Sequence, residues 1–189
     1  MSNLQTVYLG EASTYDGRQL TTHWPRRSSG LKTNALVAWR GPAQVPSDAL
    51  VDLVDRDAGA VIVSAEMLHL VGVFFGRPLV EMVLRQRLYV ARCADELRRR
   101  CTEIICDGDD LFVPGNPRRK LSVSIATISP LAGLIHLGLN IDPTGAPVPA
   151  VGLNELGVDV EDFARRILAL LIDEEESVDL ASAKVRAVE

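Results

Sequence analysis

Lys120, Ser122 and Ser124 alternate along one apolar run, KLSVSIAT (120–127), and His136 and Asn140 share a parity in the next, GLIHLGLNI (133–141). Asp109 and Asp110 stand in a turn just before them. Residues two apart in a strand share a face. Lys120, Ser122, Ser124 and Ala126 are therefore expected on one face of the first run, against Leu121, Val123 and Ile125. Leu134, His136, Gly138 and Asn140 share a face of the second. If the two strands pair antiparallel, these residues form a polar floor in an aliphatic sheet. A lysine beside hydroxyls and an imidazole can hold a phosphate or a carboxylate. Asp109 or Asp110 can position an amine or a metal-bound phosphate. A plainer reading stands beside this one. Antiparallel sheets commonly have one solvated face, and Lys120, Ser122 and Ser124 fit such a face, with His136 as a satisfied core histidine. Serine and Gly138 are small for a wet strand, however, and small residues leave the room a ligand needs.

A second cluster lies nearer the N-terminus: Tyr15, Asp16, Gly17, Arg18, Gln19, His23, Trp24, Arg26, Arg27 and Lys32. Arginine, histidine and aromatic rings together can grip an anion and stack on a ring, which makes Arg18 and His23 substrate-binding candidates. The alternative is a loop anchored by Trp24 with its charges in water. Arg40, with Gly41 and Pro42, closes a strand where binding loops often begin. Glu66, Met67 and His69 follow another strand in the same way. Arg85, Gln86 and Arg87 read as the solvated face of a helix. Ser122 and Ser124 lack the G-x-S-x-G elbow, and the chain has no P-loop, dinucleotide fingerprint or H-E-x-x-H.

The elements that must position these residues follow from pattern. Residues 2–9 predict a first strand, and 13–34 a loop or irregular hairpin. Ala35–Arg40 predicts a strand ended by Gly41 and Pro42. Ser47 predicts a cap for a turn over 48–53, and Ala60–Ser64 a short buried strand. Leu79–Arg100 predicts a helix burying Leu79, Val83, Leu84, Leu88, Ala91 and Leu97. Thr102–Cys106 and Leu111–Val113 predict short strands around the acidic turn. Pro143–Gly157 is a loop. Val160–Glu174 predicts a second helix, capped by Asp159 and buried through Phe163, Ile167, Leu170 and Leu171. The organisation expected is one α+β domain over 1–176 with a fraying tail, 177–189, built on a mixed or antiparallel sheet flanked by helices.

Composition agrees. The chain has 189 residues, 47% hydrophobic and 24% charged, with a formal charge of −5. That suits one folded domain and disfavours nucleic acid as a partner. No apolar run is long enough to span a bilayer, and Met1–Leu9 does not resemble a signal peptide, so the cytoplasm is the expected location. Three cysteines, Cys93, Cys101 and Cys106, give neither a disulfide framework nor a zinc spacing; buried thiols are expected, and no metal site.

TYDGRQL (14–20), AWRGP (38–42), LRQRLYVA (84–91) and GDDLFV…KLSVSIAT…LIHLGLNID (108–142) resemble the prokaryotic family called domain of unknown function 366, over most of the chain. From about residue 88 to 176 the chain also resembles, more distantly, the catalytic domain of biotin protein ligases and lipoate ligases, whose fold is akin to class II aminoacyl-tRNA synthetases. Asp107-Gly108-Asp109-Asp110 matches the acidic motif of those ligases, Lys120 their catalytic lysine, and residues 136–142 their second strand. The resemblance implies ATP and magnesium as cofactors, an acyl-adenylate intermediate held by the lysine, and Asp109, Asp110 and Lys120 as catalytic residues. The match has gaps. Ser122 and Val123 stand where the ligases have glycines, and the arginine-glycine loop is absent, leaving Arg18, Arg26, Arg27 and Arg40 as substitutes. Three readings follow: a small-molecule-binding protein or enzyme with a ligase-like pocket, an ATP-dependent acyl-adenylate-forming ligase or acyltransferase, and a non-catalytic homodimeric module. In the first two, Arg18, His23, Arg40, Ser122, Ser124, His136 and Asn140 bind the small-molecule ligand. A C2 homodimer is the expected assembly.

Overall fold

Long aliphatic, β-branched runs pair into a sheet, and two periodic stretches lay helices across it. The computed structural model describes residues 4–100 and 103–188. Its elements in chain order are β1 (Gln5–Glu11), α1 (Trp24–Ser29), β2 (Ala35–Val45), α2 (Leu53–Asp57), β3 (Ile62–Phe75), α3 (Leu79–Arg100), β4 (Ile105–Asp107), β5 (Asp110–Val113), β6 (Arg119–Lys120), β7 (Ser122–Ile128), β8 (Ala132–Asp142) and α4 (Val160–Ala183). The main sheet has five strands in the order β1-β2-β3-β8-β7. Its β1–β2 pair is parallel and its other pairs antiparallel. A small sheet, β4-β5-β6, flanks it. The α+β class and the mixed sheet flanked by helices are as expected.

Strand alternation gives the sheet two buried faces. Leu36, Ala38, Leu68, Leu70, Leu137 and Leu139 turn towards α3 and α4, where they meet Tyr89, Leu97, Phe163, Ile167 and Leu171 in the main core. Each fully buried aliphatic or phenyl side chain there contributes about 1.5–3 kcal/mol. The opposite face carries Val37, Trp39 and Val71, packed against Tyr15, Val45 and Leu50. The 12–34 segment roofs this second face, with Trp24 against Trp39 at 4.8 Å between ring centroids. A parallel β1–β2 pair requires such a crossover, which is why that stretch, expected as loop, also contains α1.

Several boundaries differ from expectation. Gly41 and Pro42 do not end β2; the register against β3 shifts between Gly41 and Ala43, and a bulge is where a strand tolerates proline. The run after Ala60–Ser64 does not stop either. It continues as β3, so Glu66, Met67 and His69 lie within the strand, where Glu66 binds Arg40 and His69 binds a carbonyl. Ser47 opens a short 3-10 turn without a side-chain cap, and Asp52 caps α2, accepting from Val54 and Asp55 N–H. On α3 the buried stripe is Met82, Gln86, Tyr89, Val90, Cys93 and Leu97. Leu79 and Leu84 are 45% and 65% exposed. The stripe rotates because Gln86 and Tyr89 find partners inside. Arg85 likewise packs inward, against Glu175, rather than joining a solvated face. Asp159 caps α4 as expected, but the helix runs on through Ala183. Of the cysteines, Cys93 is buried and Cys106 exposed. Cys101, Thr102 and the first three residues lie outside the described residues. Among the described residues no helix is long and apolar enough to cross a membrane.

Gly152 shows how tightly the 143–157 loop sits on β8. A Cβ there would lie 2.1 Å from the Ile141 carbonyl oxygen and 3.0 Å from Pro143 Cδ. Backbone cannot yield as a side-chain tip can, so Gly152→Ala is expected to lose the upper part of the about 1–3 kcal/mol typical of overpacking. The shift of the urea midpoint measures it.

Candidate functional site

The pairing of β7 with β8 decides which polar residues meet. Val123 pairs with Gly138 and Ile125 with His136, while Ser122 and Ser124 pair with Leu139 and Leu137. Directly paired residues share a face. The polar floor expected from alternation is therefore split: Ser122 and Ser124 look towards α3, and His136 looks the other way. Neither face of β8 is wet, since every residue from Ala132 to Ile141 is buried. Nor does Gly138 make room for a ligand. A Cβ there would lie 2.8 Å from Met67 Cε and 3.3 Å from His136 Cε1, so glycine serves close packing.

The site forms instead around the sheet edge at β7. The chain leaves the small sheet at Lys120, and Leu121 carries it into β7. Lys120 is pinned on both sides. Its residue pairs with Phe112 of β5 and bridges to Ala150 of the 143–157 loop. Its N–H donates to Pro149 O at 2.8 Å, and its carbonyl accepts from Val151 N–H at 3.1 Å and Asn140 Nδ2 at 3.3 Å. The Lys120 ammonium lies 2.8 Å from Asp110 Oδ2. Burial pushes the Asp110 carboxyl above its ordinary pKa, and the lysine pulls it partly back.

Asp109 reaches the same edge through a two-residue hairpin. Asp107 pairs with Asp110, and Gly108 has φ 66°, the positive angle that a type II′ turn asks of its first central residue. Ser124 Oγ donates to Asp109 O at 2.8 Å. Gln86 Nε2, from α3, donates to Asp109 Oδ2 at 2.8 Å and to Ser124 Oγ at 2.7 Å. Ser122 is buried, its Oγ accepting from Leu111 N–H at 2.8 Å.

Two cavities meet at Lys120. The larger, about 300 Å³, is walled by Tyr15, Leu50, Asp52, Asp55, Asp109, Asp110, Ser124, Ile125 and His136, among others. The smaller, about 190 Å³, is more apolar, with Val61, Val63, Met67, Ser122, Asn140 and Val148 in its walls. Asp55, Ile62, Lys120 and Val123 border both, so they form one two-lobed trough.

Behind the larger lobe lies a buried aromatic stack. The Tyr15 ring lies over His136 at 3.7 Å with a 12° tilt. His136 Nε2 is 3.1 Å from His69 Nδ1, and His69 Nε2 is 3.1 Å from Gly41 O. Burial lowers the His69 pKa to about 4 and holds His136 well below the usual imidazole range, with His69 adding to the effect. Burial also pushes the Tyr15 hydroxyl up.

Of the ten residues singled out from sequence, Asp109, Asp110, Lys120, Ser122, Ser124, His136 and Asn140 border the trough. Arg18, His23 and Arg40 do not. The Arg18 side chain is 91% exposed and pairs with Asp16. His23 lies exposed beside Phe75, at a separate small cavity. Arg40 pairs across with Leu68, on the helix side of the sheet, and binds Glu66 at 2.7 Å. Asp52, Asp55 and Gln86 were not foreseen as site residues, while Tyr15 entered only as part of the N-terminal cluster and His69 only as a residue following a strand. A polar residue four positions from Met82 on a helix was the available signal for Gln86. Asp52 and Asp55 come in on the cap and first turn of α2, a segment that carries no motif. Among the described residues no group of three or more histidine, cysteine or acidic side chains is placed to hold a metal ion.

Known proteins agree with this architecture. The family described as Domain of unknown function (DUF366) matches residues 4–186. A protein of unknown function from Pyrococcus horikoshi is similar over 99% of this chain and 100% of its own, with 36% identity and a TM-score of 0.93. The biotin protein ligase of Aquifex aeolicus, solved in complex with biotin and ATP, is similar over 90% of this chain and 70% of its own, at 15% identity and a TM-score of 0.55. The bi-partite lipoate protein ligase of Thermoplasma acidophilum gives 93% and 85%, at 10% identity and a TM-score of 0.58. At such identities the ligases share the fold alone.

Proposed function

The chain belongs to the DUF366 family, and we propose that it binds a small molecule in the two-lobed trough, with an anionic group of the ligand at Lys120. One observation carries this reading: the two lobes meet at a lysine whose backbone is fixed by β5, Asn140 and the 143–157 loop. A cation held in place and partly shielded from water attracts an anion more strongly than a free one does. Asp110 holds the ammonium in place at 2.8 Å. The unequal lining, acidic in one lobe and apolar in the other, suits a ligand with unlike ends.

A second reading, an ATP-dependent acyl-adenylate-forming ligase or acyltransferase, is favoured by the same arrangement. A lysine between two lobes can face a nucleotide phosphate on one side and an activated carboxylate on the other, where negative charge develops at phosphorus. Magnesium would then arrive on the nucleotide's phosphates. Arg18 and Arg40 stand away from the trough, however, so this reading lacks the arginine clamp that the resemblance implies. The first is preferred.

The test is a thermal-shift panel of small carboxylates and phosphates, with Mg–ATP included, on wild type and Lys120→Ala. Compounds that stabilise wild type are expected to bind the variant at least tenfold more weakly, about 1.4 kcal/mol. Mg–ATP among them favours the ligase reading; Mg–ATP inactive while others bind favours the first. An absence of hits, or hits indifferent to Lys120→Ala, overturns the trough reading.

A further inference from the structure

His136 and Tyr15 are almost wholly buried, at 2% and 3% exposure, yet each keeps a polar atom without a protein partner. His136 spends Nε2 on His69, and no described residue bonds its Nδ1. Among the described residues no side-chain nitrogen or oxygen sealed from solvent lacks a partner. His136 Nδ1 is therefore not sealed, and the space His136 borders is the larger lobe. The same elimination opens Tyr15 Oη to that lobe, which Tyr15 also borders.

The hydrogen-bond chain fixes what Nδ1 offers. A carbonyl oxygen only accepts, so the contact with Gly41 O puts the His69 proton on Nε2. A neutral imidazole has one N–H, so His69 Nδ1 accepts and His136 Nε2 donates. His136 Nδ1 is left with a lone pair. Burial keeps both rings neutral near pH 7. The wall of the larger lobe thus presents a hydrogen-bond acceptor whose tautomer is set two residues back. Its other polar lining has the same sign: four aspartates, Asp52, Asp55, Asp109 and Asp110, stand against Lys120, which is itself matched by Asp110. An anionic group at this end would face a lone pair and uncompensated negative charge, and a cationic donor would be matched on both counts.

We propose that the His136 end of the larger lobe takes a protonated primary amine of the ligand, which donates to His136 Nδ1. This deepens the trough reading and rests on it. The ligand class is then an amine that also carries an anionic group for Lys120. His69 is a positioning residue: it touches no ligand and holds the His136 proton on Nε2.

Long-range proton–nitrogen NMR on the full chain labelled with 15N-histidine tests this, with propylammonium and the similarly sized propionate as probes. Both rings are expected to show a protonated Nε2 and a bare Nδ1. Propylammonium should shift the His136 Nδ1 resonance saturably, with at least tenfold higher affinity than propionate. In His69→Ala the two His136 nitrogens should average towards each other and the amine response should weaken. A proton on His136 Nδ1 in wild type, or no amine response at tens of millimolar, overturns the proposal. So does a response to propionate that equals or exceeds that to the amine. None of these arms involves Lys120, so failure of the trough reading, seen as hits indifferent to Lys120→Ala, remains distinguishable.

Discussion

Glu175→Ala is expected to destabilise the fold by about 3–5 kcal/mol, the cost of removing one member of a buried ion pair. Glu175 sits on α4 and clamps that helix to α3. Its Oε1 accepts from Arg85 Nε at 2.6 Å and from Tyr89 OH at 2.8 Å, and its Oε2 from Arg85 Nη2 at 2.9 Å. Both charged side chains are 9% exposed. The guanidinium also lies over the Phe74 ring at 4.5 Å and binds Glu81 Oε1 at 2.9 Å. Without Glu175, Arg85 keeps the half-buried Glu81 as its charged partner, and a buried phenol loses its acceptor. Glu175→Gln, which still offers an oxygen, should cost less. The double change Arg85→Met with Glu175→Leu should recover most of the loss, because a well-packed apolar pair replaces a buried ionic one at little cost. Urea midpoints at constant slope measure all three. A loss below about 1 kcal/mol for Glu175→Ala would mean that the pair behaves as a surface contact.

The same clamp shows where the sequence was legible and where it was not. The existence and ends of α3 follow from its length and period, but not the face it buries. Arg85 and Gln86 read as a solvated face and Tyr89 has no place in the predicted buried stripe, yet each is turned inward by a partner far away in sequence: Glu175, Asp109 with Ser124, and Glu175 again. Periodicity weighs side chains by hydrophobicity and cannot see such partners. The strands err for a related reason. Alternation along 120–127 and 133–141 was readable, but relative register was not, and a one-residue change of register moves every side chain to the other face. That is why His136 and Asn140 lie on the face away from the helices while Ser122 and Ser124 turn towards α3, although all four border the trough. The resemblance to biotin and lipoate ligases supplied the fold because it rests on the order of elements, which the chain keeps. It could not supply the anion clamp, whose residues the chain lacks. His69 could be read only as a residue following a strand, because its role depends on Gly41 and His136, which only sheet pairing brings beside it.

That histidine pair has a consequence for stability against acid. The fold is expected to weaken as pH falls from about 6.5 towards about 4, the interval between the ordinary imidazole pKa and that of His69 in the folded chain. Within it the unfolded chain binds a proton that the folded chain refuses, so stability rises with pH and is lost on acidification. One such group contributes about 1.4 kcal/mol per pH unit, so His69 alone loses about 3 kcal/mol by the bottom of the window. His136, held low in the same direction, steepens the slope. Asp110 acts in the opposite sense, because its raised pKa lets the folded chain bind a proton first. Asp142, lowered by Thr144, adds to the loss only below the window. The comparison that isolates the pair is the urea midpoint of wild type and of His69→Gln with His136→Gln, each at about pH 7.5, 6 and 5. The variant is expected to start less stable and to fall less steeply; parallel curves would mean that the imidazoles do protonate inside the fold. Because the folded chain keeps His136 neutral over this interval, its lone pair stays open to the larger lobe, and amine binding by the molecules that remain folded should change little between about pH 6.5 and about 5.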